Sequence, residues 1–115
     1  MTTPPITVSV AREFSITPGP RTAREGLHSG EEFLERLLLP RFDQAIAAGT
    51  TLVVELDGTA GYATSFLEAA FGGLARARGG AAVTKTLRLV ASDEPYLLDE
   101  ILGYIEDVAK AERRQ

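Results

Sequence analysis

A short apolar run at residues 50–56, TTLVVEL, constrains the fold of this chain more than any other feature. Its valines and leucines continue without the strict alternation of a strand that has one face in water. Such a run is typical of a central strand covered on both faces, as in parallel sheets. An acidic-glycine turn follows at Asp57-Gly58, and a pattern rich in Ala, Leu and Phe begins at Ser65. The stretch therefore predicts a buried strand, a loop and a helix in that order.

Further strands are predicted on both sides of this run. Ile6–Val10 alternates apolar and polar side chains, which is the pattern of a half-buried strand. Glu13–Ile16 is interpreted as a second short strand that forms a hairpin with the first and ends at the Thr17–Pro20 turn. Thr84–Ala91 alternates again and predicts another strand.

Capping signals and apolar spacings predict the helices. Ser29-Gly-Glu-Glu32 has the spacing of a capping box, so we expect a helix from Ser29. Proline removes a helical hydrogen bond and clashes with the preceding turn, which predicts a kink or break near Leu38–Pro40. A second capping box, Ser65-Phe-Leu-Glu68, favours a helix start there. We expect the paired glycines Gly72 and Gly73 to allow this helix to pack closely on the sheet.

The predicted order of strand, helix, strand, helix, strand and helix indicates one α/β domain. Its sheet is at least partly parallel, because parallel neighbours need crossover connections. Functional loops tend to lie at the carboxyl ends of such strands, which places Asp57–Thr64 and Ser92–Glu94 at the same end. Ser92 is also expected to cap the last helix. We assign residues 1–5 to a disordered leader, 6–110 to the domain and 111–115 to a frayed tail.

The composition argues against several classes of function. Twelve basic and sixteen acidic residues give a net charge of -4, which argues against a nucleic-acid-binding protein. There is no cysteine, and the single histidine, His28, lacks the neighbours that a metal site needs, so we expect no metal and no cofactor. No signal peptide and no apolar stretch of about 20 residues is present, so we expect a cytoplasmic protein with no membrane segment.

The hydroxyl pair Thr64-Ser65 is the first candidate site. Ser65 has a purely structural interpretation as a helix cap. Alternatively, one of the two hydroxyls accepts a phosphoryl group, which would meet free N–H donors and the positive end of the helix dipole. The two interpretations are compatible, since a free hydroxyl can cap the helix and a phosphorylated one can disrupt a partner surface.

Other candidate residues surround this pair. Turn chemistry alone explains Asp57-Gly58, although an exposed carboxylate there can also repel or position a partner's phosphate chemistry. Tyr62 is either an exposed contact residue at the strand end or part of the core edge. His28 lies in a different loop without an orienting acid, so we do not expect it to act as a base for Ser65. No catalytic constellation is present, and we expect no enzyme activity.

The segment VVELDGTAGYATSFLEAAFGGL resembles the central signature of STAS-type domains. In those domains an apolar strand ends in a polar turn, and one or two hydroxyl residues precede a helix rich in small residues. The chain is similar in more detail to a bacterial STAS-like family, with which it shares Ser29-Gly-Glu-Glu-Phe33, Pro40, Ser65-Phe-Leu-Glu68 and Phe71-Gly-Gly-Leu74. The resemblance extends from Ile6 to Ala109.

This resemblance implies an α/β fold with a sheet of four to five mixed strands and about three to four helices. It implies no catalysis, but a regulatory module that binds a protein partner. In the anti-sigma-factor antagonists among STAS proteins, a Ser/Thr kinase of the histidine-kinase-like ATPase fold phosphorylates a hydroxyl at the start of the matching helix. Ala63 stands where those antagonists carry an aspartate, and Phe66 replaces a small residue.

Carried onto this chain, the resemblance gives Thr64 or Ser65 as the phosphoacceptor. The expected partner-binding residues are Asp57, Gly58, Tyr62, Thr64, Ser65 and Glu68. The residues leave a second function open, a sensor of a small ligand or nucleotide in the crevice at the strand ends. They do not give the oligomeric state.

Overall fold

The computed structural model describes residues 3–114, and at its centre lies a sheet of three parallel strands. The strands are β1 (Ile6–Ser9), β2 (Leu52–Glu55) and β3 (Leu87–Val90), and β2 lies between the other two. The predicted α/β class is confirmed. The predicted four to five mixed strands are wrong, since the described residues form three strands that all run parallel.

Five helices cover and connect these strands within residues 3–114, where three to four were expected. They are α1 (Val10–Glu13), α2 (residues 30–48), α3 (residues 64–78), α4 (Gly80–Thr86) and α5 (Tyr96–Arg113). A π-helical segment interrupts each of the helices α2 and α3. It spans Leu34–Leu38 in α2 and Glu68–Gly72 in α3.

The sheet is covered mainly on one face. Leu52 and Val54 of β2 are fully buried, whereas Val53 and Glu55, which point to the opposite face, are only half-buried. On that opposite face Arg88 of β3 is exposed. The composition of the apolar run had predicted that β2 is covered on both faces. This prediction is wrong, because only one face of the strand is fully buried.

The predicted hairpin after β1 is wrong. The chain turns into α1 at Val10, because Ser9 caps that helix: its hydroxyl accepts a hydrogen bond from the Arg12 N–H at 3.3 Å. The Glu13 carboxylate in turn accepts a hydrogen bond from the Ser9 N–H at 3.1 Å. These local side-chain bonds replace strand pairing, so the segment predicted as the second strand begins inside a helical turn.

The first long helix begins as predicted but does not break at Pro40. The Ser29 hydroxyl accepts a hydrogen bond from the Glu32 N–H at 3.0 Å, which confirms the cap, while the Glu32 carboxylate pairs with Arg36. At the expected break the chain widens into a π-helical segment, in which the Leu39 N–H donates to the Leu34 carbonyl. A π-helical turn accommodates the proline because it removes the need for a regular α-helical bond there.

The central helix α3 begins one residue earlier than predicted, at Thr64. Ala63 is its N-cap, with extended backbone angles, and no side chain caps the helix, so the capping role predicted for Ser65 is wrong. The Ala63 carbonyl accepts hydrogen bonds from the N–H groups of Phe66 and Leu67, at 3.0 and 3.2 Å. Both of these side chains are fully buried, so core packing fixes the start of the helix.

Both glycines of the pair Gly72-Gly73 are closely packed, but only Gly73 contacts another helix. A Cβ atom on Gly73 would lie 2.7 Å from a methyl carbon of Leu34 in α2, and one on Gly72 would lie 2.4 Å from the Glu68 carboxylate within α3. None of their nearest neighbours belongs to the sheet, so the predicted packing of the pair on the sheet is wrong: Gly73 contacts α2, and Gly72 contacts side chains of its own helix.

The last part of the chain differs from prediction at its helix boundaries. Helix α4 occupies residues assigned to the strand, and β3 begins only at Leu87. The final helix starts at Tyr96 after Pro95, without the predicted Ser92 cap, and continues to Arg113 into the segment predicted to fray. Residues 1–2 of the predicted leader and residue 115 of the predicted tail lie outside the described residues.

Aromatic side chains from two helices form the centre of the core. The rings of Phe33 in α2 and Phe66 in α3 stack with centroids 6.0 Å apart, and Phe71 lies 6.4 Å from Phe33. All three are fully buried. This cluster joins the two long helices and holds the start of α3 beside the carboxyl ends of the strands.

Candidate functional site

The loops that follow β2 and β3 are joined at the carboxyl ends of the strands. The Asp57 carboxylate accepts a hydrogen bond from the Asp93 N–H at 2.8 Å, and the Asp93 carboxylate accepts one from the Gly58 N–H at 3.1 Å. Gly58 has a φ of 92°, a left-handed conformation that glycine adopts without a steric penalty. We call this reciprocal pair the strand-end clasp; it brings together the two loops that the topology had predicted to meet.

Hydrogen bonds from the backbone stabilise the charged form of Asp57. The Asp93 N–H, and next to it the Ser92 N–H, lower the pKa of the Asp57 carboxyl below its ordinary value. Asp57 therefore has a structural role that turn chemistry alone did not indicate. The amide that donates to Asp57 lies 36 positions away in the sequence, so the residues next to Asp57 could not indicate this hydrogen bond.

Tyr62 belongs to the edge of the core, the second of its two predicted placements. Its hydroxyl donates a hydrogen bond to the Leu56 carbonyl at 2.8 Å, and its ring lies 5.8 Å from that of Phe66. Burial raises the pKa of the Tyr62 hydroxyl to about 12. The side chain thus fixes the loop to the end of β2, and only part of it remains open to a partner.

The two candidate hydroxyls are not equivalent. Thr64, the first residue of α3, is exposed, whereas Ser65 is half-buried. Thr64 lies near Tyr104 of α5. Partial burial and the Glu100 carboxylate raise the pKa of Tyr104, whereas a hydrogen bond with the Thr64 hydroxyl lowers that pKa. A phosphate on Thr64 would lie at the N-terminus of a helix of 15 residues (64–78), close to unpaired first-turn amides.

Glu68, predicted as a partner contact, is engaged in ion pairs within the chain. Its carboxylate contacts Arg76 of the same helix at 2.7 Å and Arg21 of the β1–α2 connection at 2.6 Å. These hydrogen bonds, the one from Arg76 first, lower the pKa of Glu68. The residue ties the long connection to α3, one turn beyond Thr64.

Two exposed apolar residues flank the site and were not identified from the sequence. The Ile16 carbonyl accepts a hydrogen bond from the Ala60 N–H at 2.7 Å, and the Ile16 side chain is 63% exposed. Tyr96 begins α5 just after the clasp and is 61% exposed. The only sequence signal was an apolar or aromatic residue in a polar turn. Both side chains are free to contact a partner that docks on the clasped loops.

A small cleft lies beneath the clasp, at the ends of β1 and β2. Its volume is about 370 Å³, and it is lined by Ser9, Ala11, Arg12, Glu55, Asp57, Gly58 and Asp93. Three of these side chains are carboxylates and one is a guanidinium, so the cleft carries net negative charge. Among residues 3–114 no group of three or more His, Cys, Asp or Glu side chains has a geometry that could hold a metal ion.

His28 takes a structural position in the β1–α2 connection. Its ring packs edge-on against Phe14 with centroids 5.6 Å apart, and its carbonyl accepts a hydrogen bond from the Gly19 N–H. Its φ of 57° is in the left-handed region. These contacts explain the residue without a catalytic role.

The family comparison covers the elements that build this site. The model of the STAS-like domain of unknown function (DUF4325) matches residues 29–97, which is more than half of the chain. The chain belongs to this family. The match in this STAS-like domain starts at the Ser29 cap, includes β2, the clasp and Thr64, and ends at Leu97 in the first turn of α5.

No curated protein and no solved structure is detectably similar to this STAS-like domain. Within the part of the chain that the structure describes, every helix is too short or too polar to cross a bilayer.

Proposed function

We propose that this STAS-like domain is a non-enzymatic regulatory module that binds a protein partner at the carboxyl ends of its strands. The observation that supports this most strongly is the exposed position of Thr64 at the end of a loop that two hydrogen bonds join to its neighbour. The exposed side chains of Ile16, bonded through its carbonyl to the Ala60 N–H, and of Tyr96, three residues after Asp93, offer apolar contact area. The contact surface comprises the residues Ile16, Asp57, Gly58, Thr64, Ser65 and Tyr96.

The module is switched by phosphorylation of Thr64. A phosphate adds a charge of about -1.5 to -2 at neutral pH, which would break an apolar contact by repulsion and by its desolvation cost. The Thr64 hydroxyl and the Glu100 carboxylate both act on Tyr104, so a phosphate on Thr64 would add negative charge beside an existing carboxylate, and a docked partner would have to bury that charge. Thr64 is preferred to Ser65 as acceptor because an active-site base can reach an exposed hydroxyl without unfolding the helix start.

The expected partner is a Ser/Thr kinase of the histidine-kinase-like ATPase fold, as in the STAS antagonists that this family resembles. The test is incubation of the domain with such a kinase from the source cell and ATP, followed by intact-mass measurement. We expect one added phosphate on the wild type and on Ser65→Ala, and none on Thr64→Ala. Phosphate that is added to Thr64→Ala as readily as to the wild type would contradict the assignment.

The cleft supports a second candidate function, the small-ligand sensor. Its volume of about 370 Å³ falls in the range of small-molecule sites. However, Glu55, Asp57 and Asp93 repel phosphates, so a nucleotide is disfavoured and a cationic metabolite is the better fit. A thermal shift with a cationic metabolite, and no shift with the kinase, would favour this second function.

A further inference from the structure

Two arginines share one carboxylate on α3. The Glu68 carboxylate contacts Arg21 of the β1–α2 connection at 2.6 Å and Arg76 of its own helix at 2.7 Å. Arg76 reaches both carboxylate oxygens, since its second terminal nitrogen lies 3.5 Å from the other oxygen. The three side chains therefore carry one more positive than negative charge, and Glu68 stays paired if one arginine takes another partner.

Arg21 is the arginine that can change partner more readily. It contacts Glu68 through one terminal nitrogen, and its side chain is 45% exposed. Its backbone is held independently of this ion pair, because the Arg21 carbonyl accepts a hydrogen bond from the Glu31 N–H at 3.0 Å. The preceding carbonyl, that of Pro20, accepts one from the Gly30 N–H at 2.8 Å. The guanidinium can therefore turn towards a new acceptor while the connection stays bound to α2.

Glu68 lies one helical turn beyond Thr64. The Glu68 N–H donates a hydrogen bond to the Thr64 carbonyl, so the two residues are neighbours on the helix surface, with Cβ atoms about 5–6 Å apart. Side chains of an α-helix lean towards its N-terminus, so the Glu68 carboxylate lies over the turn that begins with Thr64. The Arg21 guanidinium, which is bonded to that carboxylate, therefore lies beside the first turn of α3.

We propose that Arg21 binds the phosphate on Thr64 and leaves Glu68 to Arg76. This inference rests on the phosphorylation of Thr64 in the proposed function. A phosphate presents three acceptor oxygens and a charge of about -1.5 to -2, whereas the Glu68 carboxylate is already shared between two cations. A guanidinium can bind phosphate through two parallel, charge-assisted hydrogen bonds. The exchange thus forms a phosphate–arginine pair without leaving the carboxylate unpaired.

This pairing is compatible with a switch that acts by repulsion. One arginine cancels only part of the charge of the phosphate, so the phosphorylated surface is still more negative than the unmodified one. Arg21 instead determines where that charge is held. It keeps the phosphate beside the first turn of α3, next to the loop that carries Asp57 and Gly58 of the proposed contact surface.

The first test is a phosphorus NMR titration of the full chain with phosphothreonine encoded at position 64, so that no kinase is needed. The second pKa of a phosphorylated hydroxyl is ordinarily about 6, and a bound guanidinium lowers it because it favours the doubly charged form. Arg21→Gln should therefore raise this pKa by at least about 0.5. Arg24→Gln, which removes the same charge from an exposed residue of the same connection, should leave it unchanged. Titration in about 0.5 M salt screens charges that are not in contact with the phosphate.

The second test uses the competition between Glu68 and the phosphate. Glu68→Gln releases Arg21 from its carboxylate, so it should lower the phosphate pKa. It also removes a nearby negative charge, which lowers the pKa whether or not Arg21 is present. We therefore expect a larger decrease in the chain that has Arg21 than in Arg21→Gln, a difference that isolates the competition. Circular dichroism verifies that all variants are folded.

Either of two results would overturn the inference: equal phosphate pKa values with and without Arg21, or equal increases in Arg21→Gln and Arg24→Gln. Both results would leave Thr64 as the proposed phosphoacceptor, because the phosphothreonine is encoded and not added by an enzyme. Conversely, a kinase that leaves Thr64 unmodified would contradict the proposed function, and the titration would still decide whether Arg21 binds the phosphate.

Discussion

Thr64 and Ser65 are neighbours in sequence but differ in what their side chains can do. Thr64 is exposed at the first position of α3, whereas Ser65 is half-buried and does not cap the helix. The difference follows from the helix start at Thr64, which places Phe66 and Leu67 in the core. A sequence interpretation that starts the helix at Ser65 treats both hydroxyls as equal candidates.

Tyr62 provides the first residue-scale prediction. Tyr62→Phe removes the hydrogen bond to the Leu56 carbonyl but keeps the ring packed against Phe66. We expect the free energy of unfolding, measured with urea, to fall by about 1 kcal/mol. An unchanged free energy would mean that the hydroxyl does not hold the loop.

The second residue-scale prediction concerns pH. The folded-state pKa of Asp57 is lowered, so this carboxyl contributes stability above its unfolded pKa, and the contribution is lost as the pH falls. In Asp57→Asn the side chain can still accept the Asp93 N–H but has no charge. We expect the variant to be less stable than the wild type at pH 7 and equally stable once the wild-type carboxylate is protonated. A stability difference that is the same at neutral and acidic pH would show that the charge plays no part.

At the scale of elements, α2 and α3 are in close contact at Gly30. A Cβ atom at Gly30 would lie 2.4 Å from the Phe66 carbonyl oxygen, and a backbone atom cannot move aside cheaply. We therefore expect Gly30→Ala to reduce the free energy of unfolding by roughly 1–3 kcal/mol. The measurement is urea unfolding followed by circular dichroism.

Gly103→Ala is the matched control for that change. Gly103 lies inside α5, and no atom lies within 4 Å of a Cβ built there. Alanine should therefore raise stability by about 0.4–1 kcal/mol through its better helix propensity. Equal losses in the two variants would contradict the close contact between α2 and α3.

The unit of β2, its loop and α3 was predictable because its signals are local. A continuous apolar run, an acidic-glycine turn and apolar residues at helical spacing lie next to each other in the sequence. The errors arose where competing local bonds or distant packing decided the outcome. Ser9 and Glu13 bond to backbone and form α1 in place of a hairpin, and Ser92 does not cap α5, which begins after Pro95.

At the scale of the whole molecule, one aromatic cluster supports both the core and the site. Phe66 contacts Phe33 and Tyr62, and it lies two residues after Thr64. Phe66→Ala should lower the free energy of unfolding by about 3–5 kcal/mol, since it leaves a large cavity between α2 and α3. Phe66→Leu, which keeps more of the volume, should cost less. A smaller loss for alanine than for leucine would contradict this description of the core.

The clasp and the flanking apolar residues show why the site was only partly predictable. Parallel topology placed the loops after β2 and β3 at the same end, and the structure brings them within hydrogen-bond distance. Ile16 reaches the site through a backbone hydrogen bond between segments 44 positions apart, for which no sequence pattern exists. Glu68 and Tyr62 were chosen as partner contacts, but both are largely used within the fold.

The affinity of the domain for the proposed kinase partner, before and after phosphorylation, tests the central claim most directly. Titration calorimetry would compare the unmodified chain, the chain phosphorylated on Thr64, and Thr64→Ala. We predict that the unmodified chain and Thr64→Ala bind alike and that the phosphorylated chain binds at least about tenfold more weakly. Equal affinity of the phosphorylated and unmodified chains would contradict the account.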